Sequence, residues 1–183
     1  MELSNLIKTT QYPSYDPVTV QPMRDELTSV GCKELLTPED VDKALGRNDD
    51  KTVLVVINSV CGCSAGSGRP GVMMALQNSI IPNKFYTLFG GMEKDAIDRY
   101  RSKYLANHPT SSPHIALFRN GEPVAIFKRS DIDGYTAGSI ASQLVAIFNK
   151  ECSNVGPSIS AKDFEDVTQG QYGCYTDPAK DKE

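Results

Sequence analysis

No apolar run in the sequence approaches the ~20 residues that a membrane-spanning helix requires; the longest β-like run, Thr52 to Ile57, is the size of one strand. An excess of positive charge is missing too. Nineteen Lys and Arg against 23 Asp and Glu leave a net charge of −4, which speaks against a general polyanion binder, nucleic acid included. The opening Met1-Glu2-Leu3-Ser4 lacks the basic stretch and apolar core of a secretory signal. Histidine is scarce, at two residues, and no second close cysteine pair completes a zinc pattern. These absences lead to the expectation of a soluble, cytoplasmic protein with no membrane and no nucleic-acid partner. The 183 residues, 39% hydrophobic and 23% charged, suffice for one ordinary domain with some chain left over. Cysteine is present but odd in number: Cys32, Cys61, Cys63, Cys152 and Cys174, which is not the pattern of a secreted disulfide framework.

Residues 1–17 carry no periodicity and are expected to form an extended lead-in. From Pro22, the apolar Met23, Leu27 and Val30 share one side of a short helix that Gly31 can end. Thr37-Pro38-Glu39-Asp40 is a helix start, with a capping hydroxyl, a proline suited to the first position and acids at the positive end of the dipole. Thr52 to Ile57 lacks the alternation of a half-exposed strand and fits a central strand buried on both faces. A Gly- and Ser-rich turn, Cys61 to Gly71, leads into a helix that Pro70 starts or kinks. Lys84–Phe89 is a second strand, and a helix is expected from about Glu93 to Asn107. Asn120-Gly121 joins His114–Phe118 to Val124–Phe127 as a tight hairpin, and a last helix follows Thr136. A β–α–β half followed by a β–β–α half is similar to a thioredoxin-like sheet: an α/β/α sandwich of three layers with a mixed central sheet. The domain is expected over 18–152. Residues 153–183, with a net charge of −3 and no periodicity, are expected to be a C-terminal tail, ordered only if something ties it down.

Cys61-Gly62-Cys63 lies between a buried strand and a helix. The thiolate is the nucleophile, and helix N-terminal amides together with a cation such as Arg69 would stabilise it. Lowering a thiol pKa from ~8.5 to ~6.5 raises the thiolate fraction at pH 7.5 from about 9% to about 91%. Nucleophilicity falls somewhat with pKa, so the gain in rate is smaller. Cys61 is the expected nucleophile and Cys63 the resolving thiol. A disulfide across one residue needs a tight backbone, which Gly62 tolerates, and a strained ring is easily reduced. Other readings stand beside this one. The pair could be half of a zinc or copper site, with His108, His114 and the distant Cys32, Cys152 and Cys174 as soft partners. Gly62, Gly66 and Gly68 are similar to a phosphate loop, but no Gly-Lys-Ser/Thr follows. A buried structural pair is the third. In a thioredoxin-like sheet, Pro113 of Ser111-Ser112-Pro113-His114 would be a cis proline beside the cysteines, although base rates favour trans. His114 reads as a strand residue rather than a catalytic base.

Asn58-Ser59-Val60-Cys61-Gly62-Cys63-Ser64-Ala65-Gly66, followed by Arg69-Pro70, resembles the signature of the bacilliredoxin family. The resemblance extends over roughly 12–152, through Pro22-Met23-Arg24-Asp25-Glu26-Leu27, the Ser-Ser-Pro string and Cys152 closing the last helix; Ser64 stands where alanine is more usual. It implies a thiol–disulfide oxidoreductase that removes bacillithiol, a low-molecular-weight thiol, from S-thiolated client proteins. Cys61 would attack the mixed disulfide and Cys63 resolve it. No bound cofactor or metal is implied, and bacillithiol is the co-substrate. A disulfide isomerase or reductase of the same fold is the alternative enzyme, and a metal-binding module the non-enzymatic one. Cys152 is a candidate auxiliary thiol. In the tail, Tyr172 and Tyr175 flank Cys174 and could dock on the domain, bringing Cys174 to Cys152.

Overall fold

The computed structural model describes residues 11–169. Its elements, in chain order, are α1 (Pro17–Ser29), β1 (Lys33–Glu34), α2 (Pro38–Leu45), β2 (Thr52–Asn58), α3 (Arg69–Ala75), β3 (Ile80–Ile81), β4 (Lys84–Phe89), α4 (Lys94–Arg99), β5 (His114–Arg119), β6 (Glu122–Phe127), α5 (Arg129–Ile132), α6 (Ala137–Glu151), β7 (Asn154–Val155) and α7 (Ala161–Gln169). Two π-helical turns, Ser64–Gly68 and Tyr100–Tyr104, adjoin α3 and α4.

Five strands form one sheet in the order β1-β4-β2-β5-β6; β1, β4 and β2 are parallel, β5 is antiparallel to β2, and β6 is antiparallel to β5. Every residue of β2 is buried, and its side chains alternate between two cores. Leu54 and Val56 join Ile115, Leu117 and residues of α1, α3 and α6 on one face. Val53, Val55 and Ile57 join Ala116, Phe118 and residues of α2 and α4 on the other. Two apolar faces explain a run without alternation, because each position meets a helix layer on one side or the other. The thioredoxin-like, three-layer α/β/α architecture with a mixed sheet follows from this order.

Three expectations need correction. The first helix begins at Pro17, not at Pro22: Asp16 caps it, accepting from the amide of Val18 at 2.7 Å, and Pro17 occupies the first turn. Buried Val20 extends the apolar stripe one turn towards the N-terminus, and Pro22 lies inside the helix. The helix expected to reach Asn107 ends its α-helical part at Arg99 and continues only through the π turn to Tyr104. Pro70 lies in the first turn of α3, after a π turn, so of the two expected roles it takes the first and starts the helix. Finally, residues 153–169 are folded onto the domain. β7 pairs with β3, the amide of Ser158 donates to the carbonyl of Leu76 at 2.9 Å, and Ile159, Phe164 and Val167 pack on the first core. Tyr172, Cys174 and Tyr175 lie outside the described residues. Among the described residues no helix is long and apolar enough to cross a membrane.

Candidate functional site

Strand directions bring distant parts of the chain to one edge of the sheet. β2, β4 and β6 all run parallel, so the segments following each leave at the same end, and antiparallel β5 enters there. Cys61 follows β2, Gly90 and Gly91 follow β4, Ser112 and Pro113 precede β5, and Arg129 follows β6. Ligand sites in α/β sheets form at the carboxyl ends of strands for the same reason.

Cys61 and Cys63 are free thiols, partly exposed, with their sulfurs 2.7 Å apart. The Cys61 sulfur also accepts from the hydroxyl of Ser59 at 3.1 Å and the amide of Ser64 at 3.3 Å. The amides of Ser64 and Ala65 both donate to the Cys61 carbonyl at 3.1 Å, which winds the chain into the π turn. Partial burial raises the Cys61 thiol. Hydrogen bonds from Cys63, Ser59 and the Ser64 amide, with the charge of Arg129, outweigh that and hold it below its ordinary value. Cys63 moves the other way: burial and the neighbouring Cys61 thiolate push it up, against the pull of Arg129. The two thiols therefore differ in acidity, Cys61 being the more easily ionised of the pair.

Beneath this turn lies a buried polar network. Arg69, 3% exposed, donates from Nε to Glu26 Oε2 at 2.7 Å and from Nη1 to the Ser59 carbonyl at 2.8 Å, Asn58 Oδ1 at 3.1 Å and Ser64 Oγ at 3.2 Å. Asn58 Nδ2 donates to the Met23 carbonyl at 2.8 Å, fastening the end of β2 to α1. Arg69 was expected as the cation beside the thiolate. Instead it is consumed in fixing the backbone of the loop, and Arg129 is the cation whose charge acts on both thiols. Arg129 was missed because a lone basic residue after a hairpin carries no local signal; it becomes a candidate only once β6 is known to run parallel to β2. Gly62 is exposed, outside the left-handed region and with open space where a Cβ would stand. In this dithiol state nothing in its surroundings requires glycine; the expected demand concerns the closed disulfide.

The Ser112–Pro113 peptide is cis, and Pro113 is buried. Gly90 holds this loop against the end of β2: its amide donates to the Asn58 carbonyl at 2.8 Å, and a Cβ there would lie 2.6 Å from Ser112 Oγ. His114 opens β5, buried, with Nδ1 3.5 Å from the Tyr100 hydroxyl. Burial foremost, then the charges of Arg101 and His108, depresses its pKa to about 4, so the ring is neutral at physiological pH. A cavity of about 490 Å³ opens beside Cys61, bordered by Ser59, Ser112, Lys94, Arg101 and Arg129.

The remaining cysteines are elsewhere. Cys32 is buried in the first core, where desolvation pushes its thiol up to about 12. Cys152 caps α6, half-buried and hydrogen-bonded to Thr52; burial raises its thiol despite that bond and the charge of Arg119. Thr52 is the first residue of β2 and Cys61 follows its last, so a strand of 7 residues separates the two thiols, roughly 20 Å at ~3.3 Å per residue. The structure does not bring Cys152 to the reactive pair. Among the described residues no group of three or more His, Cys, Asp or Glu is gathered where it could hold a metal ion.

Residues 15–152 match the family model described as Disulphide isomerase. A bacilliredoxin of Salinibacter ruber is 42% identical over 154 residues, covering 84% of this chain and 90% of that protein. A bacilliredoxin of Halalkalibacterium halodurans is 43% identical over 141 residues, covering 77% and 96%. A bacilliredoxin of Staphylococcus aureus is 40% identical over 133 residues, covering 73% and 90%.

Proposed function

The chain belongs to the bacilliredoxin family, and from that premise we propose that it is the enzyme that removes bacillithiol, or a similar low-molecular-weight thiol, from S-thiolated client proteins in the cytoplasm. Thiol–disulfide exchange is the coarse activity; the proposal adds the substrate and the roles of two cysteines. The observation that carries it is the asymmetric pair of free thiols, Cys61 depressed and Cys63 raised in pKa with their sulfurs 2.7 Å apart.

The Cys61 thiolate attacks the sulfur of the small thiol in the client's mixed disulfide. A Cys61–small-thiol disulfide forms, the client disulfide breaks, and the client leaves as a thiolate that takes a proton from water. Cys63 then loses its proton and attacks the Cys61 sulfur. That step forms the Cys61–Cys63 disulfide and expels the small thiol, and an external dithiol or two thiol equivalents restore the reduced enzyme. Ser59 and the Ser64 amide serve the first step by stabilising the attacking thiolate.

Incubating a bacillithiolated client with the reduced enzyme is expected to free the client thiol stoichiometrically, with the rate lost in Cys61→Ser. Full activity in that variant would overturn the assignment. The description of the matching family model favours one second reading, isomerisation of protein disulfides at the same two cysteines. Reactivation of a scrambled disulfide protein, faster than de-thiolation at equal enzyme concentration, would support it.

A further inference from the structure

The extended segment ahead of α1 reaches the cavity beside Cys61, where Gln11 and Tyr15 form part of the wall. Tyr15 is held from both sides. After it, Asp16 caps α1, and Val20 of that helix is buried with Phe89 and Met92 at the end of β4. Before it, the amide of Ser14 donates to the Gly91 carbonyl at 2.7 Å, and Gln11 Nε2 donates to Asp98 Oδ2 at 2.7 Å and Asp95 Oδ1 at 3.2 Å. The ring itself lies on Gly91, where a Cβ would stand 2.7 Å from Tyr15 Cε2. Gly91 has a φ of +85°, so glycine serves the turn and the ring together. Its neighbour Gly90 makes the same room for Ser112, so consecutive glycines admit the cis-proline loop and an aromatic ring at one end of the sheet. Among the described residues Tyr15 belongs to no apolar core, and it is 40% exposed. Its bulk therefore adds little to stability; what that bulk does is close one side of the approach to Cys61.

We propose that Tyr15 is a specificity-determining residue: its ring, wedged on Gly91, limits the bulk of the group that can accompany an electrophilic atom to the Cys61 sulfur. The inference rests on Cys61 being the nucleophile of the exchange reading above, and it adds selection by shape. Displacement by a thiolate is in line. The attacking sulfur, the attacked atom and the leaving group share one axis, so a substituent on the attacked atom projects sideways from it. On the Gly91 side that direction meets the ring. A slender substituent passes it and a branched one collides with it. The collision is relieved only by displacing a side chain fixed from both ends, which makes the wall a sharper filter than a loose segment would be.

Iodoacetamide and N-tert-butyliodoacetamide test this. Both are neutral, both lose iodide as the Cys61 sulfur–carbon bond forms, and they differ in branching. Rates at Cys61 are read by peptide-mapped mass, each divided by that reagent's rate with a small neutral thiol. In the parent the branched reagent is expected to lag the compact one by about tenfold, the scale on which a shaped site rejects a misfit of methylene size. Tyr15→Ala should bring the two rates several-fold closer, and Tyr15→Phe, which keeps the ring, should behave as the parent. Tyr12→Ala, at a residue 88% exposed and away from the cavity wall, should leave the ratio unchanged. The pH at which Cys61 is half ionised should be the same in Tyr15→Ala as in the parent, which separates a lost wall from a disturbed sulfur. Equal normalised rates in the parent, a ratio indifferent to Tyr15→Ala, or Tyr15→Phe behaving as Tyr15→Ala would overturn the filter while leaving thiol exchange intact. A shifted half-ionisation in Tyr15→Ala would overturn it in favour of a role in holding the loop. Failure of iodoacetamide to modify Cys61 in the folded protein, when the unfolded chain reacts, would defeat the exchange reading itself.

Discussion

Arg69 Nε and Glu26 Oε2 meet at 2.7 Å in a buried ion pair beneath the loop that carries Cys61. The pair joins α3 to α1, and the same guanidinium holds the Ser59 carbonyl, so loop geometry and domain stability depend on one side chain. Arg69→Ala leaves the Glu26 carboxylate without its guanidinium partner and should cost about 3–5 kcal/mol. In a domain of this size that lowers Tm by about 10 °C or more. The double variant Arg69→Met with Glu26→Leu should recover much of that stability but little of the exchange rate, because the Ser59 carbonyl still lacks its donor. A melting curve for Arg69→Ala within a degree of the parent would refute this account of the loop.

Ionisation of Cys61 gives a pH prediction of definite sign. Its pKa in the folded protein is lowered, so alkylation at Cys61 should reach half its plateau at a pH below the ~8.5 of a free thiol. Cys63 should titrate above that value. Ser59→Ala removes one donor to the sulfur and should move the Cys61 half-point upward, slowing reaction at pH 7 a few-fold. Arg129→Gln should raise both thiols together. The lowered Cys61 pKa also stabilises the reduced fold at pH values above the unfolded thiol's pKa, a contribution lost as pH falls through the folded value. Peptide-resolved alkylation rates against pH measure all of this.

Helices α3 and α6 lie in close contact at Gly71, where a Cβ would stand 2.7 Å from Ile140 Cβ and 3.1 Å from the Ala137 carbonyl. Gly71→Ala should therefore destabilise by about 1–3 kcal/mol despite the better helix propensity of alanine. Urea denaturation reads the change, and a stabilised variant would contradict the packing.

The folded segment after α6 makes its own prediction. Phe164 of α7 is half-buried against the first core. Phe164→Ala should cost about 1–2 kcal/mol, less than the ~3–5 of a fully buried phenylalanine. Proteolysis of the variant should begin between 153 and 169, while the parent resists there. Equal susceptibility would mean that the segment does not dock in solution.

What was legible in the sequence had local causes. The buried run of β2 betrayed two apolar faces; Thr37 and Asp40 formed their capping box; Asn120 and Gly121 adopted φ of 52° and 79°, the left-handed pair of a tight hairpin. The Cys-Gly-Cys string likewise sits at a strand-to-helix turn. The misses are long-range. β3 and β7 are two-residue strands more than seventy positions apart, too short for any periodicity. α7 has its amphipathic face, but acids and a preceding Gly-Pro masked it, and only docking makes it informative. Arg69 is the most instructive miss. A cation eight residues after Cys61 reads as an electrostatic partner from spacing alone, whereas its place at the start of α3 turns it inward to Glu26.

Trapping tests the central claim most directly. Cys63→Ser, reduced and mixed with a bacillithiolated client, should accumulate one low-molecular-weight thiol per chain by intact mass, mapped to Cys61, while the client thiol appears in equal amount. The parent protein should pass on to the Cys61–Cys63 disulfide, two hydrogens lighter and carrying no adduct. An adduct on any other cysteine, or a client freed at the full rate by Cys61→Ser, would contradict the account.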